Sequence, residues 1–515
     1  MTETTVIRNA DWVVAFDKAK GEHVYLRDAD VAFEGNRITH VGKGYEGKAD
    51  REIDGRNRVV MPGMVNVHSH PTSEPLRKGI TDETRSPGFW HSSLYEYLTV
   101  FENDPDGYQA CMQVAMAELL MSGCTTVADL SIAFEGWLDT LADSGIRAVV
   151  APMYRDARWY TTDGHELKYD WNPENGRKGF ETARRIIDLA NQHPSGRLSG
   201  MVCPAQIDTC TPELIRDSFD YAVEKNLPFQ IHAAQAVTEF LEMQRRHGLT
   251  PIQWMQSIGA LGEHSIIGHG IFLDHHPWLH WTTRKDLGLL ADSGSTVAHC
   301  PTVFARRGIT LRTFGGYIRA GVNMGIGTTV AHCPIVFQRR GIAMQSFGQY
   351  VAAGVNVGIG TDTYPHNFLE EMRCVAMYAR VIGESVDDLN TSDVFNAATL
   401  GGAKALRQPD IGGIAPGFKA DIVLLDARHP SMMPLREPIR SLVYVAGDRA
   451  VNDVFVDGRQ VVQDGKCLTI DLQAASEALE EAQKRSLKKV SRLDWNKRTA
   501  DELAPMAYRT VDRLN

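Results

Sequence analysis

The 515-residue chain lacks the cysteine spacing that disulfide-stapled and thiolate zinc proteins share. Its eight cysteines are scattered and include no Cys-x-x-Cys pair, whereas disulfide frameworks and cysteine zinc sites depend on close, repeated spacings. We therefore interpret the cysteines as reduced core residues.

Long apolar runs and runs of like charge are also missing. No continuous apolar stretch approaches the roughly 20 residues that cross a bilayer, and residues 1–10 contain no basic segment followed by an apolar one, as a signal peptide would. The 54 Lys and Arg against 64 Asp and Glu give a formal net charge of −10, which disfavours nucleic acid and anionic membranes as partners. We expect a cytoplasmic protein with neither partner.

The composition is that of a globular chain with a full core. Hydrophobic residues make up 43% and charged residues 23% of the sequence, which excludes an intrinsically disordered chain. The length fits one large domain together with a smaller one.

Short β-branched runs occur near both ends of the chain. They lie at residues 5–7, 12–16, 31–33, 38–41 and 58–61, and again at 421–425, 443–446, 451–456 and 460–463. Their alternation with turns is typical of a small antiparallel sheet. We predict one β-domain built from both ends of the chain.

Between these ends the pattern changes to strand, helix, strand. Eight candidate strands lie at residues 59–67, 125–130, 148–153, 198–203, 229–232, 266–270, 296–300 and 355–360, with helical patterns at 107–121, 179–191 and 212–225. The alternation predicts an α/β fold with parallel strands, and eight strands favour a closed barrel, whose chemistry lies at the C-terminal strand ends.

A tandem duplication interrupts this pattern near strands seven and eight. Residues 296–328 and 329–361 align without a gap, with 23 identities and 10 differences. The second copy is followed by Asp362 and the first by Thr329. Because a ninth strand would disturb strand tilt and register, we expect one unit to lie outside the barrel, with an added barrel strand as the alternative.

The last part of the chain predicts a helix over residues 472–492. The segment is rich in helix-forming residues and carries an apolar stripe. Such a stripe predicts packing on the barrel or on a neighbouring subunit.

Histidines and one aspartate stand at the ends of four predicted strands. The first strand ends in a His-x-His motif, His68 and His70, and side chains two apart on a strand point the same way. His232, His269 and Asp362 close three further strands. Four imidazoles and a carboxylate at the same strand ends suit a divalent transition metal such as zinc, iron or manganese.

Four motifs, taken in order, resemble the amidohydrolase superfamily. They are the run from Met61 to His70, the histidines closing strands five and six, Gly-Thr-Asp at 360–362, and the run from Ile414 to Val423. The resemblance covers nearly the whole chain. It is strongest to the branch of cytosine and guanine deaminases and of atrazine and triazine hydrolases.

This resemblance implies a distorted (β/α)8 barrel, a TIM barrel, at residues 59–410 and a two-part β-sandwich at 1–58 and 411–470. The helical segment at 471–515 completes the chain. The resemblance further implies one divalent metal per chain, zinc first and Fe²⁺ or Mn²⁺ as alternatives, and homo-oligomers such as dimers or tetramers. The implied ligands are His68, His70, His232 and Asp362, with His269 beside the bound water or as a further ligand.

The implied chemistry is hydrolysis by metal-activated water. Asp362 would take a proton from that water, and His269 would hydrogen-bond the nucleophile or the developing oxyanion. We expect the scissile bond to be a carbon–nitrogen bond of a small aromatic or heterocyclic molecule, in an amide, a urea or an amine substituent.

One residue departs from the family pattern. The deaminases of this family carry His-x-x-Glu after the fifth strand, whereas this chain has Gln235, which can hydrogen-bond but cannot titrate. Either Asp362 and His269 move the protons, or Glu239 or Glu74 reaches in, or the substrate needs less protonation. The departure favours an amide or urea hydrolase over the alternatives of a ring deaminase or a triazine chlorohydrolase. A third alternative is a catalytically impaired paralogue caused by the duplication.

Substrate contacts are expected from the loops at the barrel mouth. The loops after strands one and three are rich in aromatic residues, among them Trp90 and Tyr154, which suit a flat substrate. Gln235 is a further candidate. The resemblance also implies a seventh-strand histidine, for which the repeat offers His332 and His299, and His332 is favoured because its copy ends in Asp362.

Overall fold

The computed structural model describes residues 3–81, 95, 98–101, 103–270, 272–274, 279, 281–298, 329–332, 356–383, 385–387 and 389–511. In chain order the strands are β1 (Thr4–Asp17), β2 (Glu22–Glu34), β3 (Arg37–Gly42), β4 (Arg51–Asp54), β5 (Arg58–Pro62), β6 (Met64–Ser69), β7 (Cys124–Ser131), β8 (Arg147–Tyr154), β9 (Ala157–Tyr160), β10 (Lys168–Trp171), β11 (Leu198–Gly200), β12 (Cys203–Pro204), β13 (Phe229–Ala233), β14 (Ser265–His269), β15 (Thr296–Ala298), β16 (Thr329–His332), β17 (Asn356–Ile359), β18 (Ile422–Asp426), β19 (Val451–Val456), β20 (Arg459–Gln463) and β21 (Lys466–Cys467).

The α-helices are α1 (Tyr108–Met121), α2 (Trp137–Ser144), α3 (Pro173–Asn191), α4 (Pro212–Lys225), α5 (Val237–His247), α6 (Pro251–Ser257), α7 (Asp286–Asp292), α8 (Phe368–Gly383), α9 (Thr391–Asn396), α10 (Gly402–Ala405), α11 (Pro438–Ser441), α12 (Leu472–Leu493) and α13 (Ala500–Leu503). Short 3₁₀ turns lie at Glu74–Arg77, Pro105–Gly107 and Gly447–Ala450, and π-helical turns at Ala397–Gly401 and Leu442–Ala446.

The terminal strands form one nine-stranded sheet, in the order β21-β20-β19-β18-β5-β1-β2-β3 with β4 paired to β1. Strand β18 from the C-terminal part runs antiparallel to β5 from the N-terminal part. This pairing confirms that strands from both ends of the chain form one β-sheet. The sheet is mixed rather than purely antiparallel, because β1 runs parallel to β4 and β5.

The two faces of this sheet are covered by different cores. Alternate residues of β18 separate accordingly: Val423 and Leu425 belong to the large core shared with the helices, whereas Ile422 and Leu424 pack with Phe455 in a second, smaller core. The period-2 alternation of strands therefore places one face of the sheet against the rest of the protein.

The strand predicted at residues 443–446 is wrong, because this segment is helical. Pro438 occupies the first turn of α11, and the Glu437 side chain caps that turn by accepting from the Arg440 N–H. Leu442 and Val443 continue the helical path and are buried in the large core. Tertiary burial of these residues outweighs their β-propensity.

The parallel strands pair in chain order. Strands β6, β7, β8 and β11 are neighbours, and an isolated bridge from Val202 to Phe229 leads to β13. Strands β13, β14 and β15 continue the series. From the other side β6 pairs with β17, and β17 with β16. All eight predicted strand positions are found, and β16 is an additional one.

The expected displacement of one repeat unit is not what the described strands show. The first strand of one copy, β15, pairs with β14, and the first strand of the other, β16, pairs with β17. The two strands also lie next to each other. Because both copies begin with the same Thr-Val-Ala-His sequence, both have the same preference for a parallel strand. The residues between these strands lie outside the described ranges.

The C-terminal helix α12 packs on its own chain. Ala482 is buried against Leu76 and Cys111, and the Arg485 guanidinium donates to the Asp104 carboxylate at 2.7 and 2.9 Å. This confirms the predicted packing on the barrel side, without need of a neighbouring subunit. Among the described residues no helix is long and apolar enough to cross a membrane.

A buried ion cluster joins the sheet to the start of β8. Arg147, only 3% exposed, donates to Asp421 at 3.0 and 3.1 Å and to Asp457 at 2.9 Å. Lys419 lies 3.3 Å from Asp457. Burial raises the pKa of Asp457, but Arg147 and Lys419 outweigh burial and the net shift is downward. The charged residues of the 414–423 motif thus connect the two parts of the fold.

We predict that Arg147→Met destabilises the protein by about 3–5 kcal/mol, because it leaves buried carboxylates without their cation. Urea unfolding followed by circular dichroism measures the change. Arg56→Met, which removes an exposed partner of Asp54, is the control and should leave the midpoint unchanged. An equal effect of both substitutions would contradict the role given to the cluster.

Candidate metal centre

Backbone pairing between β6 and the segment after β17 brings the first ligands together. The Asp362 N–H donates to the carbonyl of His68 at 2.8 Å, and the His70 N–H donates to the carbonyl of Asp362 at 3.1 Å. Asn66 joins the same strands, because its side chain bonds both the backbone N–H and the hydroxyl of Thr361. The His-x-His motif and Asp362 are therefore held side by side.

Strands β13 and β14 supply the other two histidines. His232 lies within β13 opposite Gly268 of β14, and His269, which ends β14, lies opposite the next residue of β13, Ala233. Ring centroids of His232 and His269 are 5.0 Å apart, and those of His68 and His269 are 5.5 Å apart. All five residues that the sequence placed at strand ends, the four histidines and Asp362, meet in one place.

The imidazoles are oriented through their Nδ1 atoms. Nδ1 of His70 donates to the Leu130 carbonyl at 2.8 Å, and Nδ1 of His232 donates to the Ala205 carbonyl at 2.6 Å. A carbonyl can only accept, so both rings carry their proton on Nδ1. Each then presents an unprotonated Nε2, the form in which a histidine binds a metal.

The ligand atoms converge at the spacing of a metal site. One ring nitrogen from each of His68, His70 and His232 lies within 4.8 Å of the others, and Nε2 of His70 and His232 are 3.4 Å apart. Oδ1 of Asp362 lies 3.4 Å from Nε2 of His68 and 3.3 Å from Nε2 of His70. Ligands of a tetrahedral zinc ion are about 3.3 Å apart, given metal–ligand bonds of about 2.0–2.1 Å.

The protonation states also suit a cation. Burial, followed by the neighbouring His68 and His70, lowers the pKa of His232 to about 3, and burial lowers the pKa of His70. Burial raises the pKa of Asp362, but the hydrogen bond from His68 and the nearby imidazoles outweigh it, and the net shift is downward. At neutral pH His70 and His232 are therefore neutral and Asp362 is ionised, as metal ligands must be.

Three residues at these strand ends have a strained backbone. His269 and Asp362, together with Ala234 after β13, adopt left-handed conformations with φ of 87°, 59° and 55°. Such φ values are uncommon for residues other than glycine, and they persist where the surrounding structure holds them for function.

Gln235 lies in a tight turn directly after β13. Oε1 of Glu239 accepts from the Ala234 N–H at 2.6 Å, and Oε2 accepts from the Gln235 N–H at 3.1 Å. Burial, and then the charge of Asp208, raise the pKa of Glu239 well above its usual value. Both carboxyl oxygens of Glu239 are thus engaged in holding the turn that presents Gln235.

Tyr154 does not lie where a substrate contact requires it. Its hydroxyl bonds Ser218 of α4 at 2.6 Å, and its ring packs 5.3 Å from that of Phe180 in α3. The side chain is therefore enclosed between β8 and the outer helices. The expectation failed because a strand buried on both faces gives no sequence signal for which face a residue takes.

Three other candidates cannot be placed at the site. Trp90 and His299 lie outside the described residues, and for His332 only its place in the backbone of β16 is described. Glu74 is buried and paired with Arg77.

The sequence analysis missed two polar residues that support the ligands, Asn66 and Gln230. Both are fully buried, and Gln230 contacts Nδ1 of His68 at 2.7 Å. Each stands two residues before a ligand, Asn66 before His68 and Gln230 before His232. The period-2 rule that paired His68 with His70 places each on the face of its ligand, although it does not identify the partner on another strand.

A family model described as "Amidohydrolase family" matches residues 59–461. The chain belongs to the amidohydrolase family. This membership confirms the resemblance read from the sequence, and with it a hydrolase acting on carbon–nitrogen bonds other than peptide bonds. The His68, His70 and His232 triad is the metal site of this amidohydrolase.

The amidohydrolase is similar over most of its length to curated deaminases. The 5′-deoxyadenosine deaminase of Methanosphaera stadtmanae is 27% identical over 477 residues, which cover 92% of this chain and 97% of that protein. The 5-methylthioadenosine/S-adenosylhomocysteine deaminase of Pelotomaculum thermopropionicum is 27% identical over 479 residues, covering 92% and 96%.

Solved structures share the fold. An adenosine deaminase of Xanthomonas campestris with bound zinc superposes with a TM-score of 0.71 at 22% identity, covering 94% of this chain and 98% of that one. An atrazine chlorohydrolase of Arthrobacter aurescens complexed with zinc gives 0.72 at 21% identity, covering 93% and 100%.

We predict that the purified protein holds about one divalent transition-metal ion per chain, because the donor set closes around a single ion. His68→Ala and His232→Ala should each lose it, as measured by elemental analysis after dialysis. His264→Ala is the control and should keep the ion, because this histidine bonds the Leu227 carbonyl instead. Equal metal content in all three variants would refute the site.

Proposed function

We propose that the protein is a mononuclear metal-dependent deaminase that hydrolyses the exocyclic carbon–nitrogen bond of an adenine-containing nucleoside. The observation that carries the proposal is the convergence of three histidine nitrogens and Asp362 at the strand ends. The curated relatives named above, which align with about nine-tenths of the chain, supply the substrate class. The sequence favoured an amide or urea hydrolase over a ring deaminase, whereas we now prefer the ring deaminase.

We propose zinc as the metal, held by His68, His70, His232 and Asp362. Support comes from the spacing of the donor atoms and from the zinc of the two structural neighbours. Such an ion, when bound, lowers the pKa of a coordinated water toward about 7 and so makes hydroxide available at neutral pH.

Asp362 is the group we assign to accept the proton of the attacking water. Its Oδ2 is buried and has no hydrogen-bond partner among the described residues, and its lowered pKa keeps it ionised and ready to accept. His269, whose ring lies next to those of His68 and His232, is assigned to hydrogen-bond the nucleophile or the oxygen that forms at the attacked carbon. The carbon–oxygen bond forms, the carbon–nitrogen bond breaks, and the amine leaves as ammonia.

Proton delivery to the leaving amine is assigned to Asp362 rather than to the other acids considered. Glu239 uses both carboxyl oxygens on backbone N–H groups, and Glu74 is paired with Arg77. Gln235 is assigned to bind the substrate by hydrogen bonds, since its amide has a donor and an acceptor but no titrating proton.

A second candidate function is favoured by Gln235 itself. Hydrolysis of an amide, a urea or a halogenated triazine needs less protonation of a ring nitrogen, and this residue cannot supply a proton. The fold shared with the atrazine chlorohydrolase is compatible with that chemistry.

For the architecture we propose the distorted (β/α)8 barrel that the family implies, with β16 as an added strand. The boundaries at residues 58, 410 and 470 and a homo-oligomeric state, dimer or tetramer, stay predictions. The apolar stripe of α12 gives no support to an oligomer, because Ala482 is covered within the chain.

We predict that the zinc-loaded protein releases ammonia from 5′-deoxyadenosine or 5′-methylthioadenosine. The adenine base of the nucleoside should become a hypoxanthine base that is still attached to its sugar. Asp362→Asn should reduce the rate at least about 100-fold, because it removes the proton acceptor. Ammonia assay and mass spectrometry of the product provide the measurement. Failure on these nucleosides, together with turnover of amides, ureas or chlorotriazines, would make the second candidate the function.

We predict that Gln235→Glu raises kcat for deamination by roughly 10- to 100-fold, since a positioned general acid contributes about 10²–10⁴-fold. The variant should also gain a limb in its pH–rate profile that the wild type lacks. Gln235→Ala is the control for loss of the side chain. An unchanged or reduced kcat in Gln235→Glu would show that protons reach the leaving group by a route independent of this position.

A further inference from the structure

Gln230 is a fully buried amide on β13 that contacts the metal triad. It stands two residues before His232, so both side chains project from the same face of the strand. Its Nε2 lies 2.7 Å from Nδ1 of His68. It thereby links the ligand on β6 to the strand that carries another ligand.

Among the described residues, each histidine of the triad has one partner at Nδ1. For His68 that partner is a side chain, Gln230, and for the other two it is a backbone carbonyl. His70 and His232 bond the carbonyls of Leu130 and Ala205, which only accept. An amide offers a donor and an acceptor at nearly the same position. Gln230 can therefore pair with either tautomer of His68, whereas the two carbonyls fix one tautomer each.

The observed contact selects the tautomer that does not bind metal. With Nε2 of Gln230 against Nδ1 of His68, Nδ1 accepts, and the proton of the neutral ring is on Nε2, which faces Oδ1 of Asp362 at 3.4 Å. Metal binding through Nε2 requires the proton on Nδ1 instead. Nδ1 then needs an acceptor.

The acceptor is already present on the same side chain. Oε1 of Gln230 is buried and has no hydrogen-bond partner among the described residues. A half-turn of the amide plane exchanges Nε2 and Oε1 without moving the rest of the side chain. Oε1 then accepts from the Nδ1–H of His68.

We propose that Gln230 is a positioning residue whose amide can satisfy Nδ1 of His68 in either tautomer. Its Nε2 donates to Nδ1 when the proton of His68 is on Nε2, and its Oε1 accepts from the Nδ1–H that binding of a metal at Nε2 requires. The ring stays neutral, because the proton given up at Nε2 is balanced by the one gained at Nδ1. This assignment rests on the metal site of the proposed function.

The test compares zinc affinity in Gln230→Met, Gln230→Asn and Gln230→Glu by competition with a chelator of known affinity. Met removes the polar partner, and Asn is too short to reach Nδ1, so both should bind zinc roughly 10- to 100-fold more weakly. Glu keeps an acceptor for the metal-bound tautomer and should bind within about threefold of the wild type, or more tightly.

The thermal unfolding midpoint of each metal-free variant reports separately on folding. Gln408→Met is the matched control, because it removes a similar amide that bonds Ser199 at 3.1 Å, and it should keep the wild-type zinc affinity. The assignment is overturned if Gln230→Met and Gln230→Asn bind zinc as tightly as the wild type, or if Gln230→Glu loses as much affinity as they do. A wild type that takes up no zinc would overturn the metal site as well, which distinguishes the two failures.

Discussion

The site depends on imidazoles that are kept neutral and fixed in orientation, as His70 and His232 are. An imidazole away from water is costly in its charged form, and burial accordingly lowers the pKa of His232 and His70. Neutral rings have one donor and one acceptor nitrogen, so whatever bonds Nδ1 decides what Nε2 can do. The carbonyls of Leu130 and Ala205 make that decision for two ligands. The orientation of the histidine ligands therefore depends on the positions of backbone oxygens on neighbouring strands. For His68 it depends on the side-chain amide of Gln230.

That placement depends in turn on how the chain joins its first parallel strand to its last. The two backbone bonds between Asp362 and the His68–His70 segment, with the Asn66 side chain across the same seam, fix the carboxylate against two histidines. At the start of β8, Arg147 holds Asp421 and Asp457 of the terminal sheet. The sheet and the ligand-bearing strands are thus connected by buried polar bonds at defined positions. Such bonds are costly to break singly, because each would leave an unpaired charge or dipole in the core.

Much of this arrangement could be predicted from the sequence, for identifiable reasons. His68 and His70 follow from the period of a strand, and His232, His269 and Asp362 from the rule that parallel strands end at a common edge. Gln230 obeys the same period, but its partner His68 is 162 residues away, and pairing between strands cannot be read from one strand alone. The prediction of a substrate contact by Tyr154 was wrong because β8 is buried on both faces. The prediction of a strand at residues 443–446 was wrong because burial of Leu442 and Val443 overrides β-propensity. The strand β16 is the less expected alternative from the sequence, because a ninth strand would disturb the strand tilt and register of a barrel.

The duplication and Gln235 both bear on which residues transfer protons during hydrolysis. Since Gln235 cannot titrate, we assign the proton transfers to Asp362, whose Oδ1 lies 3.4 Å from His68 and 3.3 Å from His70. Only the second repeat copy is followed by that carboxylate, and its first strand pairs with β17, which leads into Asp362. The strand β15 from the first copy meanwhile pairs with β14, which ends in His269. The described strands of the repeat therefore pair with the strands that lead to the two residues to which we assign the chemistry. A change in the spacing of β14 and β17 would change the distance between His269 and Asp362, and through it the hydrolytic step in which we assign a role to each.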